Sequence, residues 1–134
     1  MADWNDSIIA EFRDNAGAVG GPFEGAPLLL LHTTGARSGE QRVSPMMYQR
    51  VGDGWAVFAS YAGRDVNPAW FHNLLAHPDV SIEVGTATVD VHARVLTPEE
   101  REPVWTEQKR AHPGFADYER KTDRVIPVVL LTPR

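Results

Sequence analysis

The chain has 134 residues, with 13 lysines and arginines against 18 aspartates and glutamates for a net charge of −5, and its composition is 43% apolar. That length supports one domain with a real core and is short for two, while the acidic balance argues against a general binder of nucleic acid or of anionic membrane. The absence of cysteine excludes disulfides, iron–sulfur clusters and thiolate chemistry, and with neither a signal-like leader nor an apolar run of the roughly 20 residues that span a bilayer, a cytoplasmic location is expected.

Residues 3–16 read as an amphipathic helix, with Asp3 as its N-cap and Trp4, Ile8, Ile9 and Phe12 on one face. Gly17, Gly20, Gly21, Pro22 and Gly25 follow as a linker, so residues 1–25 form a helical appendage and residues 26–134 the main body. The helix can pack on that body, on a partner or on a lipid surface, where its acidic residues keep any membrane association weak. Ala26 to Thr33 is an apolar strand. Gln41 to Val51 is a second strand, and Pro45 inside it favours an edge or a bulge. Gly52-Asp53-Gly54 marks a hairpin turn into a third strand, Trp55 to Ser60. Asn67 is the expected N-cap and Pro68 the first position of a short helix reaching about Ala76. Val80 to Val84 and Thr86 to Leu96 alternate as two strands around Gly85. Thr97-Pro98-Glu99-Glu100 is a capping box opening a helix to about Ala111. His112-Pro113-Gly114 breaks it, Phe115 to about Thr122 is a further short helix, and Ile126 to Leu131 is a final strand. Six short strands with few helices predict a mainly β, α+β fold with a closed or nearly closed sheet, not a βαβ array.

The candidate chemistry lies in two loops. Gly35-Ala36-Arg37-Ser38-Gly39-Glu40-Gln41-Arg42 joins two strands and combines glycines, hydroxyls and arginines. Backbone N–H groups beside fixed positive charge suit a phosphate or carboxylate. The loop is neither a Walker P-loop nor a Rossmann fingerprint, because it opens into a strand and lacks the Gly-Lys-Ser/Thr ending. The plain alternative is a polar hairpin whose arginines face water. Ser60-Tyr61-Ala62-Gly63-Arg64-Asp65-Val66-Asn67 runs from a strand end to a helix start, where anions are attracted; alone it is an ordinary connection. His72 and His77 are five apart, which is not metal-ligand spacing on a helix, and no metal site is expected. No Gly-x-Ser-x-Gly elbow supports hydrolysis. Asp90 and Glu83 read as solvated strand carboxylates. His112, Phe115 and Tyr118 recur at spacings of three and share one face.

These segments resemble the deazaflavin-dependent nitroreductase family. Leu29-Leu30-Leu31-His32-Thr33-Thr34-Gly35-Ala36-Arg37-Ser38-Gly39, with Arg42, Pro45 and Tyr48, is similar to its opening motif. Asn67-Pro68-Ala69-Trp70-Phe71-His72-Asn73-Leu74 with His77-Pro78 resembles its second signature. His112-Pro113-Gly114-Phe115-Ala116-Asp117-Tyr118 with Thr122 to Val128 resembles its C-terminal one. The resemblance runs in order over roughly residues 26–134.

It implies a split β-barrel of about six antiparallel strands, binding of the reduced deazaflavin coenzyme F420, and hydride transfer to a nitroaromatic, quinone or activated enone. By the same resemblance, Arg37, Ser38 and Arg42 hold the coenzyme's phosphate and acidic tail. Ser60, Tyr61, Ala62 and Gly63 line it from the second loop, where Asn67 and Trp70 set the wall. Thr34, Gly35, Gly39, Pro45, Met47 and Asn73 complete the coenzyme-binding set. Tyr48, His112, Phe115 and Tyr118 face the substrate, with Tyr118 and Ser60 as the groups that donate to the charge developing on it. Arg37-Ser38 stands where many members carry two basic residues before the serine, and Tyr61 stands where a basic or small residue is common. His112 and Phe115 replace tyrosines. The alternatives are a split barrel that uses flavin mononucleotide (FMN) and a non-catalytic carrier of F420 or a lipophilic ligand. Either a monomer or a homodimer is compatible with the sequence.

Overall fold

The computed structural model describes residues 4–20 and 25–134. Helix α1 spans Trp4–Asp14, and the strands that follow are β1 (Leu28–Thr34), β2 (Gln41–Met47), β3 (Gln49–Val51) and β4 (Gly54–Phe58). A 3-10 turn at Tyr61–Gly63 leads to α2 (Ala69–Ala76), then β5 (Asp79–Val84) and β6 (Ala87–Val95). Helices α3 (Pro98–Ala111) and α4 (Gly114–Arg120) precede the last strand, β7 (Val128–Pro133). Asp3, expected to cap the first helix, and Gly21 and Pro22 of the linker lie outside the described residues.

All seven strands join one antiparallel sheet in the order β2-β1-β5-β6-β7-β4-β3. The expected strand 41–51 is therefore two. Only Tyr48 separates β2 from β3, yet they sit at opposite ends of the sheet, so this one segment curls the sheet into a split barrel. Pro45 pairs with Leu30 on the terminal strand β2, where its missing N–H removes no second ladder.

Burial explains why several strands are apolar on consecutive residues. Leu29 and Leu31 point into the barrel with Trp55, Val57, Ile82, Val91, Val129 and Leu131. Leu28 and Leu30, on the opposite face of β1, pack under Ile8 and Phe12 of α1. Ala56, Phe58 and Val128 face Val104 and Trp105 of α3 and Phe115 of α4. A strand covered on both sides loses the inside-outside alternation of a half-exposed one. Gly54 is required by closeness: a Cβ there would lie 2.6 Å from the Leu131 carbonyl oxygen on β7.

The Ile8 and Phe12 face of α1 is spent on the barrel, so it does not offer the lipid-docking surface read from its sequence; no helix among the described residues is long and apolar enough to cross a membrane. Glu83 corrects a second expectation. It is not a solvated strand residue: its carboxylate accepts Arg13 Nε at 3.1 Å and Nη2 at 2.7 Å, and lies 2.6 Å from His32 Nε2. The Arg13 guanidinium holds that carboxyl below its ordinary value, against the opposing effect of burial, with His32 adding to the lowering.

The capping box at Thr97 forms as expected, with Glu100 N–H donating to Thr97 Oγ1 at 3.3 Å and Thr97 N–H to Glu100 Oε1 at 3.0 Å. Asn67 does not cap α2: the cap position is Pro68, and no side-chain cap bond forms there. The last strand begins at Val128, two residues after the expected start. The Ile126 carbonyl is taken by Arg101 Nε at 2.9 Å, and Pro127 has no N–H to offer a ladder.

Candidate functional site

Two concave regions flank α2. The first, of about 540 Å³, is lined by Gly35, Ala36, Arg37, Ser38 and Arg42 with Ala69, His72 and Asn73 of the helix. The second, of about 220 Å³, is lined by Met46, Met47, Phe58, Ser60, Tyr61, Trp70, Phe115 and Tyr118. One is a charged cleft, the other an aromatic slot.

The cleft is built on a loop that uses its own polar groups. Gly35 N–H donates to the Glu40 carbonyl at 2.8 Å, Gly39 N–H to the Gly35 carbonyl at 3.0 Å, and Glu40 N–H to Ser38 Oγ at 3.1 Å. Ala36 N–H donates to Asn73 Oδ1 at 2.9 Å, and Asn73 Nδ2 contacts Thr33 Oγ1 at 3.4 Å. These bonds consume the amides of Gly35, Ala36, Gly39 and Glu40, so positive character comes chiefly from side chains and less from the backbone concavity expected. Among the described residues Arg37 has no ion-pair partner, and Arg42 reaches Glu40 only at 3.5 Å. His72, which has no metal-ligand spacing, adds an imidazole to this wall beside Arg37, Arg42 and Asn73. Among the described residues no three His, Asp or Glu side chains cluster to hold a metal ion.

The slot is bounded by the loop after β4. Ser60 is buried, and its carbonyl accepts Gly63 N–H at 2.9 Å to close the 3-10 turn. Tyr61 adopts a left-handed φ of 47°, and its ring carries the Arg64 guanidinium 4.7 Å above its centre. Gly63, at φ 81°, lies so close to α4 that a Cβ would meet the Tyr118 carbonyl and Lys121 Cβ at 2.9 Å. Arg124 closes the arrangement, donating from Nε to the Arg64 carbonyl, from Nη1 to Asn67 Oδ1 and from Nη2 to the Ser60 carbonyl, at 2.8–2.9 Å. Burial lowers its guanidinium pKa, with the Asp65 charge opposing. This contact also explains why Asn67 is not a helix cap.

The structure thus gathers Gly35, Arg37, Ser38, Arg42 and Asn73 on the cleft, and Met47, Ser60, Tyr61, Trp70, Phe115 and Tyr118 on the slot. Asn73 is 6% exposed and acts within the protein, holding the loop. Thr34 accepts Gln41 Nε2 at 2.9 Å, Gly39 supplies a left-handed turn, and Gly63 belongs to the 3-10 turn; none of these three lines either region, and the Ala62 side chain lies outside what the structure describes. Pro45 is committed to the β1 ladder. Tyr48 packs against the barrel core where β2 gives way to β3, and His112 terminates α3 with its N–H on the Gln108 carbonyl at 2.8 Å. Neither is brought to the slot wall. Ala36, His72, Ala69, Met46 and Phe58 line the two regions without having been singled out. Only the neighbourhood of His72 and Ala36 to named residues signalled them.

A curled antiparallel split barrel with a cationic cleft and an aromatic slot on either side of one helix fits the class of split-barrel proteins that bind a charged, ring-bearing cofactor. Comparison with known proteins carries this further. The model of the family F420H(2)-dependent quinone reductase matches residues 5–133. An F420H(2)-dependent quinone reductase of Mycobacterium tuberculosis is 38% identical over 130 residues, covering 93% of this chain and 87% of its own. The solved structure of an F420-H2 dependent reductase, FDR-A, superposes with a TM-score of 0.71 at 40% identity, covering 78% of this chain and 93% of that one. Another, described as a domain-swapped dimer, gives a TM-score of 0.73 at 37% identity and covers 94% and 92%. The chain belongs to the F420H2-dependent quinone reductase family, and it is an oxidoreductase whose cofactor is reduced coenzyme F420.

Proposed function

We propose that this chain reduces a quinone-type acceptor, with the cleft holding the acidic part of the coenzyme and the slot holding its ring together with the acceptor. The observation that carries the reading is the juxtaposition, across one helix, of a cleft bearing Arg37 and Arg42 and a slot walled by Trp70, Phe115 and Tyr118. When bound, the reduced deazaflavin supplies the hydride. The protein's part is position and electrostatics.

Arg37 and Arg42 offer guanidinium forks to phosphate or carboxylate oxygens, and Ser38 adds a hydroxyl beside them. Trp70 and the two methionines present apolar faces on which a flat ring stacks while water is kept out. Of the hydroxyl-bearing side chains on the slot, Tyr118 and Ser60 are the ones we assign as donors to the oxygen on which negative charge grows. Gly63 and Arg64 N–H groups are already bonded within the turn, so backbone donation from this loop falls to its earlier amides. A quinone suits a small apolar slot better than a strongly polar acceptor does; reduction of nitroaromatics or enones is the broader form of the same chemistry. A cytoplasmic protein, monomeric or homodimeric, completes the reading, and the swapped dimer of a relative makes sizing by light scattering worthwhile.

The test is a fluorescence titration of the purified protein with oxidised F420 and, in parallel, FMN, followed by turnover of reduced F420 with a soluble naphthoquinone and a nitroaromatic. Saturable F420 binding and naphthoquinone turnover are expected. Preference for FMN would overturn the coenzyme assignment, and F420 binding without oxidation by any acceptor would make the protein a carrier.

A further inference from the structure

Arg124 lines neither the cleft nor the slot, and the motif that contains it suggested no role for its side chain. Its guanidinium nevertheless meets three acceptors spread over the loop between β4 and α2. Nη2 holds the Ser60 carbonyl before the 3-10 turn at 2.9 Å, and Nε holds the Arg64 carbonyl after it at 2.9 Å. Nη1 holds Asn67 Oδ1 at 2.8 Å, just before α2 begins. The Arg124 N–H itself donates to Thr122 Oγ1 at 3.3 Å, which fixes the turn from which the side chain leaves.

Between the first two acceptors lies Tyr61, a non-glycine residue at φ 47°. Such a conformation persists only where its surroundings over-determine it. The Ser60 carbonyl is doubly used, by Gly63 N–H and by Arg124, so the clamp and the turn share one oxygen. A planar guanidinium sets three separate nitrogens against three separated acceptors, whereas an ammonium offers its three N–H groups from a single nitrogen on a flexible stem.

We propose that Arg124 is the positioning residue of the slot: it locks the turn at residues 61–63 in its left-handed form and thereby sets where Ser60 and Tyr61 stand toward the ring and the acceptor. This rests on the reading that the slot receives that ring. The arginine touches neither coenzyme nor substrate and acts through the loop.

The experiment compares Arg124→Ala and Arg124→Lys with the parent protein. In coenzyme-free protein, NMR-detected hydrogen exchange at the Gly63 and Arg64 amides should accelerate by about tenfold or more in both variants, while Val57 and Ile82 in the barrel keep their parent rates. Tens of millimolar guanidinium should slow exchange again in Arg124→Ala but not in Arg124→Lys. In turnover with F420 and the naphthoquinone, kcat should fall by about 100-fold, the scale of a 1 Å misplacement, and guanidinium should recover part of it in Arg124→Ala. Unchanged exchange at Gly63 and Arg64, or lysine performing as arginine, overturns the proposal. So does a loss of activity that guanidinium cannot recover in folded protein. Should Arg124→Ala not fold, Arg124→Lys carries the exchange and turnover tests. If the parent protein binds no F420, the functional reading falls, and the exchange measurement still decides whether Arg124 holds the turn.

Discussion

Replacing Asn73 by alanine separates stability from ligand binding in a way that the cleft geometry predicts. The substitution removes the 2.9 Å bond from Ala36 N–H to Asn73 Oδ1 and the weaker 3.4 Å contact to Thr33 Oγ1. A single intramolecular hydrogen bond is worth about 1 kcal/mol net. Ala36 is an exposed residue whose amide can turn to water, whereas Thr33 is 1% exposed and keeps only its own hydroxyl donor to reorient. The expected loss is therefore about 1–2 kcal/mol. At about 2.1 cal/mol/K of unfolding entropy per residue over 134 residues, each 1 kcal/mol moves Tm by about 3.6 °C, so a fall of about 4–7 °C is expected by circular dichroism. Binding should suffer separately, because the loop that carries Arg37 loses its tie to α2. F420 affinity should weaken about tenfold, or about 1.4 kcal/mol. A double-mutant cycle then tests the coupling: Arg37→Ala should cost at least about 0.5 kcal/mol less in the Asn73→Ala background than in the parent. Additive losses within about 0.3 kcal/mol, or a lowered Tm with F420 affinity unchanged, would refute the claim that Asn73 works by holding Arg37's loop.

Glu83→Gln should weaken the attachment of α1 by about 1 kcal/mol and flatten the acid limb of the stability curve. The folded-state pKa of Glu83 lies below the usual 4.5, first through its bonds to Arg13, so its contribution is present above pH 4.5 and is lost as pH falls through the lower folded value. Urea midpoints across pH 2–7 check this, and parallel curves for parent and variant would refute it. Gly63→Ala forces a Cβ to 2.9 Å from the Tyr118 carbonyl at a left-handed φ, and should cost about 2 kcal/mol or more in a urea melt. Tyr118→Phe should lower kcat about tenfold or more while leaving the F420 dissociation constant within about twofold; equal losses in both would remove the hydroxyl from catalysis.

The sequence signals that read correctly were local ones. Thr97-Pro98-Glu99-Glu100 caps a helix because every partner lies within one turn. The Gly52-Asp53 hairpin and the Gly85 turn are equally short-ranged. What escaped depends on contacts far apart in the chain. Nothing near Asn67 shows that an arginine 57 residues later will take its side chain and leave the helix uncapped. Glu83 reads as solvated until Arg13, 70 residues earlier, folds back onto it. The division of strand 41–51 at Tyr48 is a property of closure, since a single run of strand residues can serve both ends of a curled sheet. In the cleft, arginine and serine types made the anion loop visible, whereas nothing local to His72, in its motif or its spacing, places it on the same wall. Tyr48 and His112 are absent from the slot lining, and neither a motif nor a spacing of three encodes which residues share one wall.

Helix α2 has a metrical consequence. Trp70 faces the aromatic slot, while Asn73, one turn further on, ties down the loop of the charged cleft. Three residues of α-helix advance about 4.5 Å, and neither end can slide: Asn67 is gripped by Arg124 just ahead of the helix, and Asn73 is buried against Thr33. If the slot takes the ring and the cleft the charge, as proposed, the helix works as a ruler between them. A molecule with the right ring and the right charge, joined by a linker of the wrong length, would then fill one end only.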